Sequence, residues 1–181
     1  MKKINWNNVE EATEQKRIGP GGYVCEIVSV EDHPDDEYLQ IDFDVAEGPF
    51  RNYFTEQYKQ WGNWPWQASF RRYHTEKSQP FFKGFLTCIH KSNPGYTFNN
   101  DEATLKGKSI GLILGEEEYW SNYHNDIRSK LAVTKIVSAD TIKKGGFKVP
   151  AKKLLSDEER ARHLGFQEID DANFVTADDP F

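Results

Sequence analysis

Apolar and polar residues alternate most cleanly over residues 38 to 46. Leu39, Ile41, Phe43 and Val45 fall on one face of an extended chain, and Tyr38, Gln40, Asp42 and Asp44 on the other. A two-residue period predicts a strand with one buried face. Residues 23 to 30 alternate and are β-branched enough for another strand, and the polar turn His33-Pro34-Asp35-Asp36 joins the two as a hairpin. Gly48-Pro49 breaks the run. Residues 50 to 54 and 68 to 73 read as further strand segments around a loop, Tyr58-Lys59-Gln60-Trp61-Gly62-Asn63-Trp64-Pro65-Trp66.

The period then changes. Phe82, Phe85, Leu86 and Ile89 recur at helical spacing, opened by Ser78-Gln79-Pro80 and stopped by Asn93-Pro94-Gly95. A short apolar strand follows at residues 110 to 114, with Gly115 and Glu116 to Glu118 ending or bulging it, and another strand at 128 to 138. Gly145-Gly146 and Pro150 close the compact body. Ser156, with Glu159 three residues on, reads as the start of a helix running to Leu164. Asn8 is placed to cap a short helix through Lys16, before the turn Gly19-Pro20-Gly21-Gly22. That turn lacks the Gly-Lys-Ser/Thr of a phosphate loop.

The order strand, strand, strand, helix, strand, strand is that of an oligonucleotide-binding (OB) fold. The expected architecture is therefore mainly β: a five-stranded OB-fold barrel with one helix between strands 3 and 4. An N-terminal extension (1–18) precedes the barrel domain (19–153), and a short helix and acidic tail (154–181) follow it.

Charge changes this picture only through its distribution. The net charge is −6, with 37% hydrophobic and 14% aromatic residues. Residues 157 to 181 carry eight acids and two bases, and residues 1 to 50 carry 12 acids and four bases. The middle, residues 51 to 156, holds 17 bases against nine acids. The chain is thus acidic, basic, acidic, and the cationic middle is the part that suits a polyanion. No apolar run approaches the ~18 residues of a membrane span, and Met1-Lys2-Lys3-Ile4-Asn5-Trp6 has no apolar core behind it to form a signal peptide. Cys25 and Cys88 lie far apart within apolar runs and read as reduced core residues of a cytoplasmic protein.

The basic middle is also aromatic. Residues 51 to 91 supply Arg51, Lys59, Arg71, Arg72, Lys77, Lys83 and Lys91 against only Glu56 and Glu76, interleaved with Tyr53, Tyr58, Trp61, Trp64, Trp66 and Tyr73. Single strands are bound without sequence readout by such a combination, because every base has a π-face to stack on and every phosphate attracts a cation. Trp120 and Tyr123, in an expected loop between the last two strands, extend the surface, and Arg128 and Lys130 follow. The competing reading of the tryptophans is core or lid packing. Enzyme chemistry is poorly represented. The five His residues show no metal-ligand spacing, and Ser69, Ser78 and His74 lie in no nucleophile elbow. Asp42 and Asp44 share a strand face as nuclease metal ligands can, which keeps a metal-dependent nuclease as an alternative, beside an adaptor whose aromatic loop binds protein. No cofactor is expected.

The last residues, Asp178-Asp179-Pro180-Phe181, form a solvated acidic and aromatic handle without apolar periodicity. They resemble the acidic tip of bacterial and phage single-stranded DNA-binding proteins, which implies docking of replication or recombination proteins. Four further stretches carry a second resemblance: Gly19-Pro20-Gly21-Gly22-Tyr23-Val24-Cys25, Pro80-Phe81-Phe82-Lys83-Gly84-Phe85, Lys91-Ser92-Asn93-Pro94-Gly95-Tyr96 and Gly115-Glu116-Glu117-Glu118-Tyr119. They look like small proteins encoded in replication and recombination clusters of phages of Gram-positive bacteria, over roughly residues 4 to 153. This resemblance implies a barrel fold, a single-stranded DNA role and, for a phage protein, the host cytoplasm. Homo-oligomers occur among such barrels, and nothing in the pattern selects one.

Overall fold

The computed structural model describes residues 17 to 164. Five antiparallel strands form one sheet: β1 (Gly21–His33), β2 (Tyr38–Val45), β3 (Ser69–Tyr73), β4 (Ser109–Ser121) and β5 (Asp126–Val137). Their order across the sheet is β3-β2-β1-β4-β5. The long central strand β1 makes this order possible. Residues 21 to 26 pair with β4 and residues 25 to 33 with β2, and a register shift between Ile27 and Ser29 bends the strand between its two neighbours. No ladder joins β3 to β5 among the described residues, so the sheet is open between them where a closed barrel was expected.

The alternation of β2 is realised as read: Leu39, Ile41, Phe43 and Val45 are buried. They pack with Cys25, Ile27, Ile110, Leu112 and Leu114 in one apolar cluster. Helix α2 (Gln79–Ser92) lies between β3 and β4 in the chain and closes this cluster with Phe85 and Ile89, touching β3, β4 and β5. Helices α3 (Ala139–Lys143) and α4 (Asp157–Leu164) follow β5. At the start of α4 the Glu159 N–H donates to Ser156 Oγ (3.2 Å), and the Ser156 N–H donates to the Glu159 carboxylate (3.2 Å), a reciprocal capping box. No helix among the described residues is long and apolar enough to cross a membrane. The extension with Asn8 and the tip Asp178–Phe181 lie outside the described residues.

One segment differs from the expected strands. Residues 50 to 54 are a turn leading into helix α1 (Tyr53–Trp61). Asn52, with φ of 60°, redirects the chain, and the buried Asp44 carboxylate accepts the N–H groups of Phe54 (3.0 Å) and Thr55 (2.9 Å). Asp44 thus caps α1 from a neighbouring strand, satisfying donors that a helix leaves unpaired. The Glu, Gln and Lys residues that follow favour helix, and Gly62, with φ of 75°, ends it. Phe54 is thereby driven into the core against Phe43, ring centroids 5.6 Å apart.

Asp44→Ala leaves these donors buried and should destabilise the protein by about 2–3 kcal/mol. Asp44→Asn, which keeps one acceptor, should lose less. Urea denaturation midpoints measure both, and an unchanged midpoint for Asp44→Ala would refute the capping role.

Candidate nucleic-acid interface

The outer face of β2 and β3 is set by their register, which places Tyr38 opposite Tyr73, Gln40 opposite Arg71 and Asp42 opposite Ser69. These side chains point away from the core that Leu39, Ile41 and Phe70 face. Tyr38 is buried under its neighbours. The His33 ring stacks on it at 4.5 Å, and the Arg71 guanidinium lies 4.6 Å from its ring centroid. Arg71 and Tyr73 remain exposed. A hydrogen bond that Arg71 donates to the Tyr73 side-chain oxygen, with the Tyr38 hydroxyl group nearby, pushes the pKa of the Arg71 guanidinium still further up.

Beyond Arg71 this face opens into a groove of about 340 Å³ lined by Gln40, Asp42, Trp64, Trp66, Ser69, Phe70 and Arg71. Trp64 and Trp66 are therefore its walls, whereas Trp61 ends helix α1, where a loop was expected. Trp64 is half-buried, donates its ring N–H to the Ala68 carbonyl (3.3 Å) and packs beside Tyr58. Trp66, in the 3₁₀ turn Trp66–Ala68, is 58% exposed. Its ring meets Tyr119 of β4 edge-on at 6.0 Å, and the Lys130 ammonium of β5 lies 5.2 Å from it. Trp66 thus reaches from the β2–β3 face to the β4–β5 hairpin across the opening of the sheet.

A second groove, of about 930 Å³, begins at Lys130 and runs past Trp61, Tyr53, Gln57 and Arg17. Tyr53 also lines a third depression with Arg51 and Lys59. Ten of the thirteen residues singled out from the sequence therefore lie along one tract or beside it. The tract runs from Tyr73 and Arg71 through Trp64 and Trp66 to Lys130, then past Trp61 and Tyr53 to Arg51 and Lys59, with Tyr58 behind Trp64. Arg128 shares the hairpin face of Tyr119 and Lys130 and pairs with Asp126 at 3.0 Å.

Two residues are elsewhere. Arg72 pairs with Leu39 and faces inward with Phe70, its guanidinium 5.3 Å from that ring. Burial lowers its pKa, with the Cys88 thiol opposing. Two adjacent residues on a strand cannot face the same way, so only Arg71 of the pair is on the tract. Trp120 is in β4 and not in a loop, because β4 and β5 stay paired out to Ser121 and Asp126. It lies on the opposite face of the hairpin from Tyr119, where the His163 ring of α4 stacks on it at 4.7 Å and 7°. Tyr123 is at the hairpin tip and 90% exposed.

The structure adds Tyr119, Gln40 and Asp42 to the tract. The period-two polar face of β2 was the signal for the latter two. Tyr119 was hidden because the acidic run Glu116 to Glu118 reads as the end of a strand. The two carboxylates offered for a nuclease do not converge: Asp44 is buried as the α1 cap, while Asp42 accepts hydroxyl hydrogen bonds from Ser29 (2.6 Å) and Ser69 on the outer face. Among the described residues, no group of three or more His, Cys, Asp or Glu is arranged to hold a metal ion.

The segment from Lys152 through α4 forms a strap along the far face of the hairpin. Lys153 pairs with β4 where β1 no longer does, its N–H donating to Glu116 (2.9 Å) and its carbonyl accepting from Glu118 (2.8 Å). Burial pushes the Glu118 carboxyl up, but the Leu155 N–H, Arg160 and Lys152 outweigh it and hold it below the usual carboxylate value. A carboxyl lowered in the folded state stabilises at neutral pH, and that contribution is lost as the pH falls through its lowered value. Acid should therefore release the strap first. In hydrogen exchange corrected for intrinsic rates, the Glu118 and Lys153 amides should lose protection while Leu112 keeps it, and Glu118→Gln should show the loss at neutral pH. Equal protection at both pH values would overturn the assignment. No protein-family model and no curated protein sequence matches this chain.

Proposed function

We propose that this protein binds single-stranded DNA along the tract from Tyr73 to Lys59, in DNA replication or recombination. Trp66 carries the reading. A large aromatic ring left mostly in water, flanked by a second tryptophan and approached by Lys130 and, across the groove, Arg71, suits base stacking beside phosphate neutralisation. The strand order, with an opening between β3 and β5 spanned by Trp66, is compatible with an OB-like fold, and OB folds bind oligonucleotides across strands 2 and 3. Asp178, Asp179, Pro180 and Phe181 are the proposed docking peptide for replication or recombination proteins.

Titration with oligothymidylate should quench tryptophan fluorescence, and affinity should fall as salt rises through counterion release. Trp66→Ala should weaken binding by about 1–3 kcal/mol. Lys130→Ala should lower the salt slope by about one. Trp120→Ala, on the covered face, should leave affinity close to that of the unaltered protein. Absence of any salt-sensitive complex at micromolar protein would refute the proposal.

A further inference from the structure

The groove between Trp64 and Trp66 holds a feature that a purely sequence-independent stacking surface does not need. Its floor carries the half-buried Asp42 carboxylate, and no cation lies within salt-bridge distance of it among the described residues. A phosphate offers no hydrogen to a carboxylate and is repelled by it, so the strand must turn a base edge toward this floor. Ser29 donates to one oxygen of Asp42 and Ser69 to the other. Each oxygen keeps further lone pairs for a ligand. Arg71 is the diagonal neighbour of Asp42 in the β2–β3 register. Such diagonal positions lie roughly 7–8 Å apart, within reach of a long side chain, yet the Arg71 guanidinium lies over the Tyr38 ring and not against Asp42, which leaves the carboxylate open to a base edge.

We infer that this groove receives one guanine of the bound strand, an inference that rests on the single-strand reading above. Guanine alone among the bases presents two adjacent N–H donors, at N1 and N2, to match the two oxygens of a carboxylate. The same base offers acceptors at O6 and N7, which arginine reads in other settings. Adenine and cytosine each present one exocyclic amine beside an acceptor, and thymine flanks its single N–H with two carbonyls that a carboxylate repels. Trp64 and Trp66 supply the stacking walls, and a groove of about 340 Å³ admits one base and not a run of them.

The test compares oligothymidylate with the same oligomer carrying one central guanine, adenine, cytosine or inosine. Guanine should bind about ten-fold tighter than thymine. Inosine, which lacks the 2-amino group, should give back a factor of about three. Asp42→Asn should bind the guanine and thymine oligomers equally. The inosine comparison uses the unaltered protein, so it decides the matter even if Asp42→Asn fails to fold. Binding of every oligomer with one affinity overturns the guanine site and leaves the single-strand reading intact. So does an equal gain for adenine or for inosine, which would mark plain purine stacking. No binding to any oligomer removes both.

Discussion

The Asp44 carboxylate decides where the tryptophans go. It is on the polar face of β2, yet it is buried, because the chain returns over it after the Gly48-Pro49 break and offers it the N–H groups of Phe54 and Thr55. Burying a carboxylate is unfavourable unless its lone pairs are filled, and the first turn of a helix supplies free donors and a favourable dipole. The helix started in this way ends at Gly62 and delivers Trp64 and Trp66 over the outer face of β2 and β3. The acid therefore helps to build the surface while staying out of the chemistry there.

That surface in turn depends on the sheet remaining open. β3 has only five residues and stops far short of the length of β5, which has 12. Strand edges left bare are a liability in water. Here Trp66 and Tyr119 cover part of the opening with rings, and Lys130 places a charge over both. The same arrangement that blunts an edge leaves one aromatic face and one ammonium at the surface, so the three residues that protect the edge are also those on which the proposed stacking rests.

The elements governed by their own residues were legible in the sequence. The alternation of β2, the helical face of α2 and the Ser156–Glu159 capping box depend on neighbours within a few positions, and each forms as its pattern indicates. What failed depends on distant partners. Residues 50 to 54 alternate well enough for a strand, but Asp44, ten positions before Phe54, makes them a turn and a helix. Trp120 follows three acids and reads as loop. Those acids are tolerated within a strand because Lys130, Lys152 and Arg160 come to them from β5 and the strap. Arg71 and Arg72 look alike in composition, and only the two-residue period of β3 separates an exposed cation from a buried one.

The cations on the tract are not all equally available. Arg71 has no acidic partner within salt-bridge distance among the described residues, whereas Lys130 pairs with Glu117 at 3.2 Å. The pair is only partly exposed, its side chains at 28% and 25%, so a phosphate that replaces Glu117 gives up one oxyanion contact to make another. Glu117 also lies 3.9 Å from Lys153, which remains near it after the exchange. Lys130 is therefore held in position over Trp66 by Glu117, and the proposed binding would exchange one oxyanion for another there. The Coulombic gain at this point is a difference between two similar contacts. In the proposed single-strand binding, stacking on Trp66 would then carry a larger share of the affinity than the net positive charge of the middle segment suggests.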